Sequence, residues 1–146
     1  MPHPYSVVCL GDALIDRLGP PGGDPCVDEP VDDRLGGAPA NVACGLARLG
    51  TAVTLLGRLG QDAIGHDFAE LFQKRGVEVG AVQWDDQRPS RIVLVRRCIN
   101  GERQFQGFAG DRGLGFADQA LTPMLLPKEA RWLLVGSLPL ASSPSA

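Results

Sequence analysis

Several kinds of residue are scarce in this 146-residue sequence, and each scarcity excludes a class of protein. Histidine occurs only as His3 and His66, with no companion ligands close by, so both read as ordinary surface histidines. The four cysteines, Cys9, Cys26, Cys44 and Cys98, form no CxxC pair, and three lie in apolar segments. Buried free thiols are therefore expected, rather than a disulfide or a zinc site. Neither sign of charge dominates: 14 basic against 17 acidic residues leave a net charge of −3. That is too little to hold the chain open or to attract a phosphate backbone, which excludes disorder and argues against nucleic acid.

Long apolar runs are also missing. The longest, Trp132 to Ala141, is interrupted by Gly136, Ser137 and Pro139 and falls short of the roughly 20 residues that span a bilayer. Met1-Pro2-His3-Pro4 lacks the order of a secretory signal. There is no heptad run, no Gly-X-Y period and no internal repeat. The expectation is one soluble, cytoplasmic, folded domain without a membrane partner.

Glycine (19) and proline (12) are plentiful, while 44% of residues are hydrophobic, enough for a core cut by many turns. Ser6 to Leu10, closed by Gly11, reads as a strand buried on both faces. Gly19 to Asp33 reads as loop with at most short edge strands. Pro39 suits the first turn of a helix that Gly50 can stop; Val42, Leu46 and Leu49 share one face, and Gly45 suggests a close neighbour. Thr51 to Leu56 is a second strand, and Asp62 can cap a helix from Ala63 to Arg75 that ends at Gly76, with Phe68, Leu71 and Phe72 facing inward. Strand and helix alternating in this way predict an α/β sheet.

The alternation breaks after Val77. Arg91 to Cys98 and Glu102 to Phe108 flank Asn100-Gly101, which predicts an antiparallel ribbon turned by a type I′ turn. Ile92 to Val95 are apolar on both faces, so one face either covers a site or another subunit or simply packs on the domain. A short helical stretch then leads to Arg131–Val135, a further buried-type strand.

In an open α/β sheet, ligands bind beyond the carboxyl ends of the strands. Gly11-Asp12 with Asp16, Gly57 to Asp62, and Gly136-Ser137 fall there. Asp12 and Asp16 can accept hydrogen bonds from the hydroxyls of a polyol. The Gly36-Gly37 pair clears backbone amides for a ligand, and Asn41 one turn later offers a donor and an acceptor. The pair is neither a Walker A loop nor a GxGxxG fingerprint, and Gly110 to Gly115 opens no convincing helix, so a dinucleotide fold is disfavoured.

The run Gly36-Gly37-Ala38-Pro39-Ala40-Asn41-Val42-Ala43, continued by Ala47-Arg48-Leu49-Gly50 and Gly57-Arg58-Leu59-Gly60-Gln61-Asp62 to Gly65, resembles the first signature of the PfkB-type, or ribokinase-like, carbohydrate kinases. Gly11-Asp12-Ala13-Leu14-Ile15-Asp16 is similar to the opening strand and sugar-binding turn of the fructokinase branch. Asn100-Gly101-Glu102-Arg103 resembles the family's lid hairpin, and Gly136-Ser137-Leu138 its next core strand.

The resemblance covers essentially the whole chain. It implies a Rossmann-like parallel sheet with helices on both faces plus a small antiparallel β lid, at about 14–35 and 88–108. It further implies ATP-dependent phosphorylation of fructose or a related sugar, with Asp12, Asp16, Gly36, Gly37 and Asn41 on the sugar, and possible dimerisation through the lid. Fructokinases carry an aromatic–arginine pair after the second lid strand; here Ala109-Gly110-Asp111-Arg112 follows Phe108, and Arg112 is the candidate for that role.

Family members run to about twice this length, and their second half carries the catalytic base, the anion hole and the nucleotide site. The expectation is therefore the N-terminal, sugar-binding part of such a kinase. It would be inactive alone and would bind neither ATP nor Mg²⁺ by itself, although both serve the complete enzyme. The alternatives are a non-catalytic sugar-binding or dimerising module, or a kinase of ribose or of a keto-deoxy sugar acid.

Overall fold

The computed structural model describes residues 6–126 and 128–141, so His3 lies outside the described residues. In chain order the elements are β1 (Val7–Leu10), β2 (Leu14–Leu18), β3 (Asp32–Gly36), α1 (Ala38–Arg48), β4 (Val53–Leu56), β5 (Arg58–Gly60), α2 (Ala63–Arg75), β6 (Gln83–Asp85), β7 (Ile92–Arg97), β8 (Arg103–Ala109), a 3₁₀ turn (Ala117–Ala120), β9 (Trp132–Val135) and a four-residue α3 (Leu138–Ala141).

The body is a parallel sheet in the order β4-β1-β9. The apolar run of β1 is central, with Val8 and Cys9 fully buried, as expected of a strand covered on both sides. Burial pushes the Cys9 thiol up to about 11, and the neighbouring Cys44 adds to the effect. All four cysteines are free thiols. Cys9 is buried as expected, Cys44 and Cys98 are half-buried, and Cys26 is exposed.

α2 follows its sequence signals. The Asp62 carboxylate accepts from the Gly65 N–H at 2.8 Å, and Gly76 closes the helix at φ 81°. Phe68 and Phe72 then share one core cluster with Cys9, Val53, Leu55 and Leu59. α1 differs from expectation. Its buried face is Pro39, Ala40 and Ala43, whose small side chains let the helix lie close to β1 and β4. Val42 and Leu46 are only half-buried, and Leu49, just past the last turn, is 82% exposed. Gly45 faces open space rather than a close neighbour.

A second sheet, in the order β3-β2-β7-β8, stands off the body. It is not antiparallel throughout, because β2 and β7 pair in parallel. Both strands leave the body in the same direction, and only their hairpin partners, β3 and β8, run back. The turn between β7 and β8 is not type I′ either. The Cys98 N–H donates to the Glu102 carbonyl and the Gly101 N–H to the Cys98 carbonyl. That leaves a three-residue loop in which Gly101 alone has positive φ, at 87°. Asn100 serves through its Oδ1, which accepts from the Glu102 N–H at 3.1 Å.

Candidate functional site

Beyond Leu10 the chain passes through Gly11 into Asp12, which is 5% exposed at the carboxyl end of the body sheet. Its carboxylate sits between the start of α1 and the residue after β9. A Cβ at Gly37 would lie 2.6 Å from the Asp12 carbonyl oxygen and 3.0 Å from Oδ2. Gly37 also holds φ at 98°, a conformation that side chains disfavour. At Gly136 a Cβ would lie 3.3 Å from Asp12 Oδ1. Four residues on, β2 presents the half-buried Asp16, and any side chain at Gly36 would strike its carboxylate. Asp12, Asp16, Gly36 and Gly37 are thus brought together by the first two strands and the start of α1.

Burial pushes the Asp12 carboxyl up, and Asp118 and Asp16 push it further; its own backbone N–H and the Arg91 guanidinium oppose them. Asp16 is likewise raised by burial, against Arg103. The register sets Asp16 beside Val93 and Val93 beside Phe108, so these side chains share one face of the second sheet.

The other two expected residues are solvent-exposed. Asn41 is exposed and borders a hollow with Arg34, Leu35, Cys44 and Arg48. Arg112 is exposed on the loop after β8, and it is not among the groups that perturb Asp12 or Asp16.

Sequence reasoning missed Arg91 and Asp118. Arg91 is 2% exposed, and its Nε and Nη2 each donate to Asp118 at 2.8 Å. Its Cζ lies 4.6 Å from the Phe108 ring centre and 4.7 Å from that of Phe116. In sequence Arg91 is only a charge flanking an apolar strand, and its partner comes 27 residues later, so no local signal marks the pair. The preceding Ser90 is equally fixed. Its N–H and hydroxyl donate to the Asp62 carboxylate at 2.7 and 2.9 Å, and its Oγ accepts from the Gly60 N–H at 3.0 Å. At this base of the second sheet a cleft of about 570 Å³ opens, lined by Arg88, Arg91, Phe108, Asp111 and Phe116 among others.

Chemically, the site offers carboxylate acceptors in a partly dehydrated corner. Among the described residues no group of three His, Cys, Asp or Glu side chains is placed to hold a metal ion. Among them, too, no helix is long and apolar enough to cross a membrane.

The model of the pfkB family of carbohydrate kinases matches residues 5–146. The chain belongs to that family. Among curated relatives of this pfkB-family chain, a probable chloroplastic fructokinase-6 of Arabidopsis thaliana is 31% identical over 97% of the chain and 37% of its own length. Fructokinase-1 of Oryza sativa subsp. japonica is 32% identical over 94% of the chain and 43% of its own length. Among solved structures, an uncharacterized sugar kinase from Pyrococcus horikoshii in complex with ATP superposes with a TM-score of 0.76 at 29% identity. That match covers 95% of this chain and 45% of the other. A fructokinase with bound ATP from Xylella fastidiosa gives a TM-score of 0.64 at 33% identity, covering 80% and 36%. The pfkB-family chain therefore has the mixed α/β architecture of these sugar kinases, and it spans about two-fifths of the length of the curated relatives it matches.

Proposed function

We propose that the chain supplies the sugar-binding part and lid of an ATP-dependent sugar kinase, with fructose or a related neutral sugar as acceptor. The observation that carries this reading is the meeting of Asp12 and Asp16 around Gly36 and Gly37, under a sheet whose inner face carries Phe108. The carboxylates accept hydrogen bonds from sugar hydroxyls, and the apolar face of the ring lies against Val93 and Phe108. Asp12, Asp16 and Asp118 outnumber the two guanidinium groups that face them, Arg91 and Arg103, which favours a neutral polyol over a sugar acid.

Closing the second sheet over the sugar excludes water and orients the acceptor hydroxyl. Phosphoryl transfer is mainly positioning and charge neutralisation. ATP with Mg²⁺ would supply the phosphoryl group and its neutralising charge in the complete enzyme. Among the described residues no group of three His, Cys, Asp or Glu side chains is placed to hold that metal. Alone, the chain binds sugar without turning it over.

Calorimetry tests this reading. Saturable heat with fructose is expected, weakened about tenfold or more by Asp16→Ala, the worth of a hydrogen bond to a charged group. No fructose-dependent ADP should form. Sugar-dependent turnover by the isolated chain that Asp16→Ala abolishes would refute the division of labour.

A further inference from the structure

We propose that Arg91 is a positioning residue of this site. Its one side chain fixes the second sheet over Asp12 and Asp16, and it supplies the cation that Asp12 and Asp118 share.

Two side-chain anchors, placed by one backbone bond, support this. The Arg91 carbonyl accepts the Ile15 N–H at 3.0 Å, one residue before Asp16. The guanidinium grips Asp118 through two bonds of 2.8 Å, tying the start of β7 to the 3₁₀ turn. Its faces lie against Phe108 of β8 and Phe116. By strand alternation Arg91 projects to the same face as Val93, and so to the same face as Asp16 and Phe108. A fork that satisfies a carboxylate edge-on while stacking on rings is a capacity of arginine that lysine lacks.

The charges converge on the same side chain. Asp118 from the 3₁₀ turn, Asp16 from β2 and Arg91 from the start of β7 are the charged groups that act on Asp12, and Arg91 is the cation among them. Arg103 of β8 faces Asp16. Without Arg91, the buried carboxylates of Asp12 and Asp118, with Asp16 nearby, lose the cation that the first two share.

The inference rests on the sugar-site reading only in calling Asp12 and Asp16 the sugar side, and its test uses no sugar. The full chain, Arg91→Met and Arg91→Lys are compared by ¹³C titration of the aspartate carboxyls and by hydrogen exchange of the backbone amides. In Arg91→Met the Asp12 midpoint should rise by about one pH unit or more. Amides of β7 and β8 should exchange about tenfold faster while those of α2 hold. Arg91→Lys should restore most of the Asp12 titration but not the protection, since it keeps the charge and loses the fork. An Asp12 midpoint that stays fixed in Arg91→Met, or β7 and β8 amides that keep their protection in it, would overturn the proposal, whatever fructose does. Should Arg91→Met not fold, Asp118→Asn replaces it. Removing one like charge and releasing the guanidinium should then lower the Asp12 midpoint, and an unmoved or raised midpoint counts against the proposal.

Discussion

Two aspartates show how place decides what a carboxyl contributes. Asp85 is buried at the end of β6, and burial alone would raise it. The N–H groups of Arg88 and Gln87, at 2.8 and 2.9 Å, and the Arg58 guanidinium at 2.9 Å outweigh that and hold it at about 2. Its folded value lies below its unfolded one, so its contribution is complete above about pH 4 and is lost as the pH falls toward 2. Urea midpoints measured from pH 6 to pH 2 should fall across that window, and Asp85→Asn should flatten the fall by about 2 kcal/mol. Asp12 is the reverse case. Its carboxyl is raised, so its charged form works against folding at neutral pH, the pattern of a group kept for binding rather than for stability.

At the scale of elements, the Asp62 carboxylate carries two jobs. It caps α2 through Gly65, and it holds Ser90 at the base of β7. An ordinary cap is worth about 1 kcal/mol. Asp62→Ala should therefore lose more than that, about 2–3 kcal/mol with the Ser90 bonds included. Ser90→Ala should lose only part of it, and chemical denaturation of both variants checks the difference. The boundaries of α2 were legible because cap, apolar spacing and terminal glycine all lie within one short stretch. The burial of α1 was not, because its core face is set by how closely Ala40 and Ala43 approach the sheet, whereas side-chain size alone points to Val42, Leu46 and Leu49.

At the scale of the whole molecule, the body sheet has one open edge among the described residues. β9 pairs with β1 alone among the described strands, and Trp132, Leu133 and Val135 are 72%, 48% and 50% exposed. A parallel strand of this composition belongs under cover. An open apolar edge of this kind recruits other chains. We expect concentration-dependent self-association of the 146-residue chain by sedimentation velocity, reduced by a charged residue at Leu133. A monomer at all concentrations with a sharp reversible melt would contradict this. Phe105 on β8 is a further exposed apolar side chain, at 64%.

The sequence by itself determined whatever depends on near neighbours along the chain. The cap and stop of α2 are of this kind, as is the apolar run of β1, whereas the meeting of Asp12 and Asp16 with Gly36 and Gly37 needs the pairing of β2 with β3. Only the tertiary structure decided what depends on distant partners. It paired β2 with β7 in parallel and limited the β7–β8 turn to one left-handed residue. It left Asn41 and Arg112 exposed, and it buried Arg91 against Asp118 and two phenylalanines. The physical reason is that propensity and capping act within a few residues, whereas burial of a charge is tolerated only where a partner arrives from elsewhere in the chain.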